Sequence, residues 1–170
     1  FATAFWPGEK SPLLRPDGQP WGRDRRLAHD LTREQIIAAA QYFEAAGCHF
    51  WVQVGHGCDP HLEMATVAAM LEAAPRMLLG FVSAEDEQPD EVPYYFAHHV
   101  KPILEMCLKH QKRFIARNKA VWWAHWPADA KIRDLIFNGR YRSVILPSVE
   151  DSNSRSPDVN LAARMGLWLD

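Results

Sequence analysis

Short β-rich runs and amphipathic helical stretches alternate along most of this chain. Their centres fall about 20–35 residues apart, the spacing of βαβ units and therefore of a parallel sheet. The β-rich runs are His49–Val54, Leu78–Val82, Arg113–Arg117, Ser143–Pro147 and Met165–Leu169, with Phe1–Trp6 as a sixth, truncated one. Between them the helical signals are local and readable. Thr32 and Gln35 form a capping box, Ile36, Ile37, Ala40, Phe43 and Ala46 follow at helical spacing, and Gly47 is the stop. Asp59-Pro60 predicts a second helix, with Asp59 as cap, running to about Ala74. A third runs from about Pro93 through Leu108 and is expected to kink at Pro102. A fourth spans Ala128–Phe137 and closes at Asn138-Gly139, and Ser156-Pro157 caps a short fifth.

Residues 1–30 read as an irregular N-terminal segment, because four prolines and three glycines there forbid a long helix. Residues 31–170 read as one α/β domain, which is what 170 residues of ordinary globular composition supply. No GxGxxG or GxxxxGK[ST] turn opens any helix, which argues against nucleotide-binding sheets. The expected fold is a (β/α)8 TIM barrel of which five to six strand–helix units are present, since a whole barrel takes about 250 residues. On this reading the chain is the central part of a longer barrel. The alternative is a small doubly wound parallel sheet.

The formal charge of −2 excludes a strongly basic nucleic-acid module and gives no polybasic membrane signal. Three widely spaced cysteines, Cys48, Cys58 and Cys107, make no disulfide framework and read as buried thiols. His56, Cys58 and His61 fit no zinc spacing, and the adjacent His98 and His99 face different ways on a helix, so no metal and no cofactor are expected.

In a barrel the chemistry lies at the C-terminal ends of the strands. Those ends carry Gln53, His56 and Cys58; Ser83, Glu85, Asp86 and Glu87; Arg117, Asn118 and Lys119; Ser148, Glu150 and Asp151; and Asp170. Three adjacent carboxylates repel one another, and a raised pKa on one suits a general acid. Glu150-Asp151 supplies a second pair across the mouth, as glycoside hydrolysis requires. Trp122, Trp123 and Trp126 follow the Asn118 strand end and offer flat apolar faces for sugar rings. Their other reading is packing, with Trp126-Pro127 as a staple for the next helix.

The run Leu79-Gly80-Phe81-Val82-Ser83-Ala84-Glu85-Asp86-Glu87 resembles the strand of (β/α)8 glycoside hydrolases that ends in an acidic residue. There it commonly closes with Asp-Glu-Pro or Asn-Glu-Pro; here Glu85-Asp86-Glu87-Gln88-Pro89 carries an insertion, which leaves Glu85 and Glu87 as rival equivalents of the acid/base. The step from helix 32–46 into Gly47-Cys48-His49-Phe50-Trp51-Val52 is similar to one common in these barrels. The resemblance spans most of residues 30–170 and implies a nucleophile or base on a later strand, Glu150 or a Glu beyond Asp170.

The expected function is cleavage of glycosidic bonds in an oligo- or polysaccharide. Glu85 or Glu87 is the acid, Glu150 the nucleophile or base, and Gln53, His56, Asp86, Asn118, Lys119 and Asp151 bind hydroxyls over a floor of Trp122, Trp123 and Trp126. Such a polymer favours a secreted or periplasmic location. Two other functions suit the same strand ends. One is a metal-dependent sugar isomerase or an aldolase, with Glu85, Asp86, Glu150 and His56 as ligands or Lys119 as Schiff base. The other is a saccharide-binding protein without catalysis.

Overall fold

A computed structural model describes residues 3–9, 13–21, 31–87, 90–119, 126 and 128–150. The expected elements at 156 and 165–169, together with Trp122, Trp123, Asp151 and Asp170, lie outside the described residues. The side chains of Lys119, Ile136, Val149 and Glu150 lie outside them as well.

The order is β1 (Thr3–Phe5), α1 (Arg33–Ala45), β2 (Phe50–His56), β3 (Asp59–Pro60), α2 (Met64–Ala73), β4 (Leu78–Ala84), α3 (Val92–Tyr95), a π turn (Phe96–Val100), α4 (Lys101–His110), β5 (Arg113–Lys119), α5 (Ala130–Ile136) and β6 (Ile145–Glu150). β1, β2, β4, β5 and β6 stand side by side in that order, each parallel to the last. The fold is therefore α/β with a parallel sheet, and chain neighbours are sheet neighbours along the whole path. The helices share a layer: α1 packs on α2, and α2 on α4. Beneath them Phe50, Val52, Phe81 and Phe114 join Ile36, Ala40, Val67, Met70, Leu71, Ile103 and Leu104 in one apolar core.

Helix α1 starts where the sequence places it. Thr32 accepts from the Gln35 amide at 3.3 Å, and Gln35 Oε1 accepts from the Thr32 amide at 2.8 Å. One expectation is corrected. Asp59-Pro60 does not start a helix. Gly57 and Cys58 both take left-handed backbone and turn the chain back, so Asp59 and Pro60 pair antiparallel with His56 and Gly55, and α2 begins at Met64. The third helix carries a π turn over Phe96–Val100, just ahead of Pro102. Pro102 sits in the first turn of α4, and the wider turn before it accommodates the residue that has no N–H to donate.

The described part of the N-terminal segment is more ordered than expected. β1 pairs with β2, Glu9 bridges to Leu31, and Leu14 bridges to Pro20 around a tight turn. Arg15 lies over the rings of Trp21 and Tyr94, 5.5 and 4.5 Å from their centroids.

Two bulges set the faces of the sheet. Leu79 is an extra residue between Leu78 and Gly80, and Val54 between Gln53 and Gly55. Gly80 is required at the first: a Cβ there would stand 1.9 Å from the Arg113 carbonyl oxygen.

Candidate functional site

Side chains alternate across a strand, so the residues between the core positions face away from the helices. Register then aligns them in three rows: Ala4, Trp51, Gly80 and Arg113; Gln53, Val82, Ile115 and Leu146; and His56, Ala84, Arg117 and Ser148. The last row lies at the C-terminal edge of the sheet. Glu85 follows it directly. Its backbone N–H donates to the Arg117 carbonyl at 2.8 Å, continuing the β4–β5 ladder by one step. It then turns left-handed, at φ 55°. This places the Glu85 carboxylate 3.4 Å from His56 Nε2, with the Glu85 side chain 27% exposed and that of His56 14%. An imidazole and a partly exposed carboxylate so placed can share or pass a proton.

The remaining strand-end residues divide by face. Lys119 and Glu150 are register partners at the end of β5 and β6. Asn118, expected to bind hydroxyls, follows Phe114 and Ala116 on the helix side of β5 and is completely buried. Gln53 is buried at 3% exposure, one row below His56. Trp126, expected in the ligand floor, is 1% exposed and packs edge-to-face on Phe96 with centroids 4.8 Å apart, so it belongs to the core.

Asp86 is likewise turned inward, at 1% exposure, and is no surface contact for a sugar. Its Oδ1 accepts from the Cys58 amide at 3.0 Å and its Oδ2 lies 2.7 Å from Ser83 Oγ. Ser83 Oγ is also 2.9 Å from the Tyr95 hydroxyl. Burial raises the Asp86 carboxyl to about 7 against the pull of those hydrogen bonds, with the charges of Glu87 and Glu85 adding to the rise. Tyr95 is pushed well above its ordinary value, chiefly by burial. Sequence reading missed Tyr95. The only signal for it is the aromatic run Tyr94-Tyr95-Phe96, which reads equally well as core.

His98 and His99 pack into the fold. His99 Nε2 lies 2.9 Å from the Val54 carbonyl, its ring stacks near Tyr95, and burial pulls it down to about 4. His98 stacks on Tyr94. Among the described residues no three His, Cys, Asp or Glu side chains gather as metal ligands, and Cys48, Cys58 and Cys107 form no disulfide.

A family model, the lambda-carrageenase middle domain, matches residues 19–170. The chain belongs to the lambda-carrageenase middle-domain family. Lambda-carrageenase from Pseudoalteromonas carrageenovora is 26% identical over 153 residues, and a lambda-carrageenase from Pseudoalteromonas sp. is equally similar. The alignments cover 86% of this chain but only 16% of either relative, so the chain spans a small part of the length of those proteins. No solved structure matches this lambda-carrageenase middle-domain relative significantly.

Proposed function

We propose that this chain forms part of the catalytic (β/α)8 barrel of a carrageenan-degrading glycoside hydrolase. Glu85 is the general acid, and a carboxylate on a later strand, Glu150, is the nucleophile or base. The observation that carries the reading is Glu85 itself: an acidic residue in left-handed backbone at the C-terminal end of β4, 3.4 Å from His56 on the open face. Sheet order supports the barrel. A doubly wound sheet reverses its strand order at a switch point, whereas this path runs β1-β2-β4-β5-β6 without reversal. Right-handed crossovers between successive neighbours put every helix on one side. The opposite face then carries layered rows of side chains, as the inside of a barrel does.

The names of the family and of the two relatives support a carrageenan as the substrate class. His56 Nε2 stands 3.4 Å from the Glu85 carboxylate and favours one orientation of it towards the leaving glycosidic oxygen. Arg117 and Ser148 stand on the same row, in reach of substrate hydroxyls or anionic groups. Trp122 and Trp123 are the proposed sugar platforms, Lys119 and Asp151 are proposed to bind polar groups of the substrate, and Glu87 is the rival acid. A polymer of this kind is met outside the cytoplasm, so a secreted or periplasmic location is proposed. No helix among the described residues is long and apolar enough to cross a membrane.

The test is reducing-end release from lambda-carrageenan by the parent chain and by Glu85→Gln, Glu87→Gln and Glu150→Gln variants. E85Q is expected to lose about 10²–10⁴-fold in kcat, and E87Q to stay near the parent. An E85Q variant that cleaves at the parent rate overturns the assignment.

A further inference from the structure

Behind the His56–Glu85 pair lies a buried polar chain that the proposed reaction leaves unused. Asp86 joins two turns. Through Oδ1 it holds the amide of Cys58, two residues beyond His56. Through Oδ2 it holds Ser83, two residues before Glu85, and Ser83 in turn meets the Tyr95 hydroxyl. Cys58 and Glu85 both carry side chains in left-handed backbone, at φ 66° and 55°. That conformation is unfavourable for residues other than glycine and persists only where the surroundings impose it. The Asp86 carboxylate bonds the Cys58 amide in one of these turns and Ser83 just before the other.

We propose that Asp86 is a positioning residue for the acid: it ties the turn after β2 to the end of β4 and so fixes the approach of His56 to Glu85. The inference rests on the assignment of Glu85 above. Asp86 also brings a charge that comes and goes. When it is ionised, Ser83 donates to Asp86 and Tyr95 donates to Ser83. When it is protonated, Asp86 donates to Ser83 and Ser83 to Tyr95. Both states keep the same heavy-atom contacts, but only the first adds a negative charge beside Glu85. The groups around Asp86 are Glu85 and Glu87 from its own loop, Cys58 from the β2–β3 turn, and Tyr95 from α3, with Asp59 beside Tyr95. The repulsion between Asp86 and Glu85 is reciprocal, so the protonation state of one biases the other.

Two variants separate positioning from bulk stability. Asp86→Asn keeps an acceptor for the Cys58 amide and a donor for Ser83, and so imitates the protonated state. Asp86→Ala removes both. D86A is expected to lose about 10²-fold in kcat on lambda-carrageenan with KM near the parent value, as a misplaced catalytic group does. D86N is expected to recover most of that loss but to show a pH–rate profile displaced from the parent, because its side chain no longer titrates. D86N carries the test if D86A fails to fold, and a D86N profile superimposed on the parent refutes the proposal. The NMR signals of the His56 ring read the same tie without any turnover. D86A is expected to shift them and D86N to return them towards the parent, and ring signals unchanged in both variants overturn the inference even if the substrate assignment stands. A parent chain that leaves lambda-carrageenan intact while D86A still moves the His56 signals refutes the substrate reading and supports the positioning role.

Discussion

Gly55→Ala is the most informative single substitution in this fold. Gly55 pairs with Ser83 on the helix side of the sheet, and the Tyr95 hydroxyl fills the space where a side chain would be. A Cβ there would lie 1.9 Å from the Tyr95 hydroxyl oxygen, 3.0 Å from Cζ and 3.1 Å from the Asp59 carbonyl oxygen. Tyr95 is fully buried against Phe96, His99 and Trp21, so it cannot swing aside freely. Overpacking of this kind costs about 1–3 kcal/mol. Displacing the hydroxyl also breaks its bond to Ser83, worth about 1 kcal/mol. Alanine recovers roughly 0.5 kcal/mol by restricting the unfolded chain. The net expectation is a loss of about 1.5–3.5 kcal/mol. Tyr95→Phe removes the clashing oxygen and by itself costs about 1 kcal/mol. In the Tyr95→Phe background the Gly55→Ala cost should therefore shrink by more than about 1 kcal/mol, although the ring carbon at 3.0 Å keeps it above zero. Urea denaturation of the four chains gives the cycle. Additive effects, within about 0.5 kcal/mol, would refute the claim that the hydroxyl is what excludes a side chain at this position.

Stability against pH follows from two buried groups of opposite sense. Asp86 is raised to about 7, so its contribution is fully present below its unfolded pKa and fades as pH rises through 7; His99 is lowered to about 4, so its contribution is present above its unfolded pKa and is lost as pH falls towards 4. The two slopes oppose each other between pH 4 and 6.5, and D86N should expose the His99 slope, up to about 1.4 kcal/mol per pH unit, in melts across that range; a flat D86N curve would contradict it. Trp126→Ala should destabilise the fold by about 3–5 kcal/mol without a selective rise in KM, and a KM effect at unchanged melting temperature would return Trp126 to the ligand floor. Glu105 accepts from Arg140 at 2.8 and 2.7 Å and from the Tyr141 hydroxyl, and its carboxyl is held down to about 2 chiefly by the Arg140 hydrogen bonds. Because this pair is largely in solvent, Glu105→Gln should cost only about 1 kcal/mol and less at high salt, which melts at two ionic strengths will show.

Local signals were legible because local chemistry decides them. The Thr32–Gln35 capping box, the strand beginning at Phe50 and the acidic end of β4 depend on neighbours a few residues away, and the structure places each near where the sequence puts it. The alternation of elements is enough to specify a parallel α/β sheet. The sequence also picks out the polar residues that crowd the C-terminal strand ends.

Tertiary structure decided which of those residues face outward. Gln53 and His56 are three apart, and simple alternation would put them on opposite faces. The bulge at Val54 brings them to the same one, beside Arg117 and Ser148. Three successive carboxylates look alike in sequence, yet left-handed backbone at Glu85 leaves that side chain against His56 and turns Asp86 inward to Ser83 and Cys58. Asn118 and Trp126 are buried for the same kind of reason, by register on β5 and by contact with Phe96. Residue types and their spacing determine that the strand ends are polar; backbone turns and strand register, which answer to distant partners, determine which polar groups a substrate can reach.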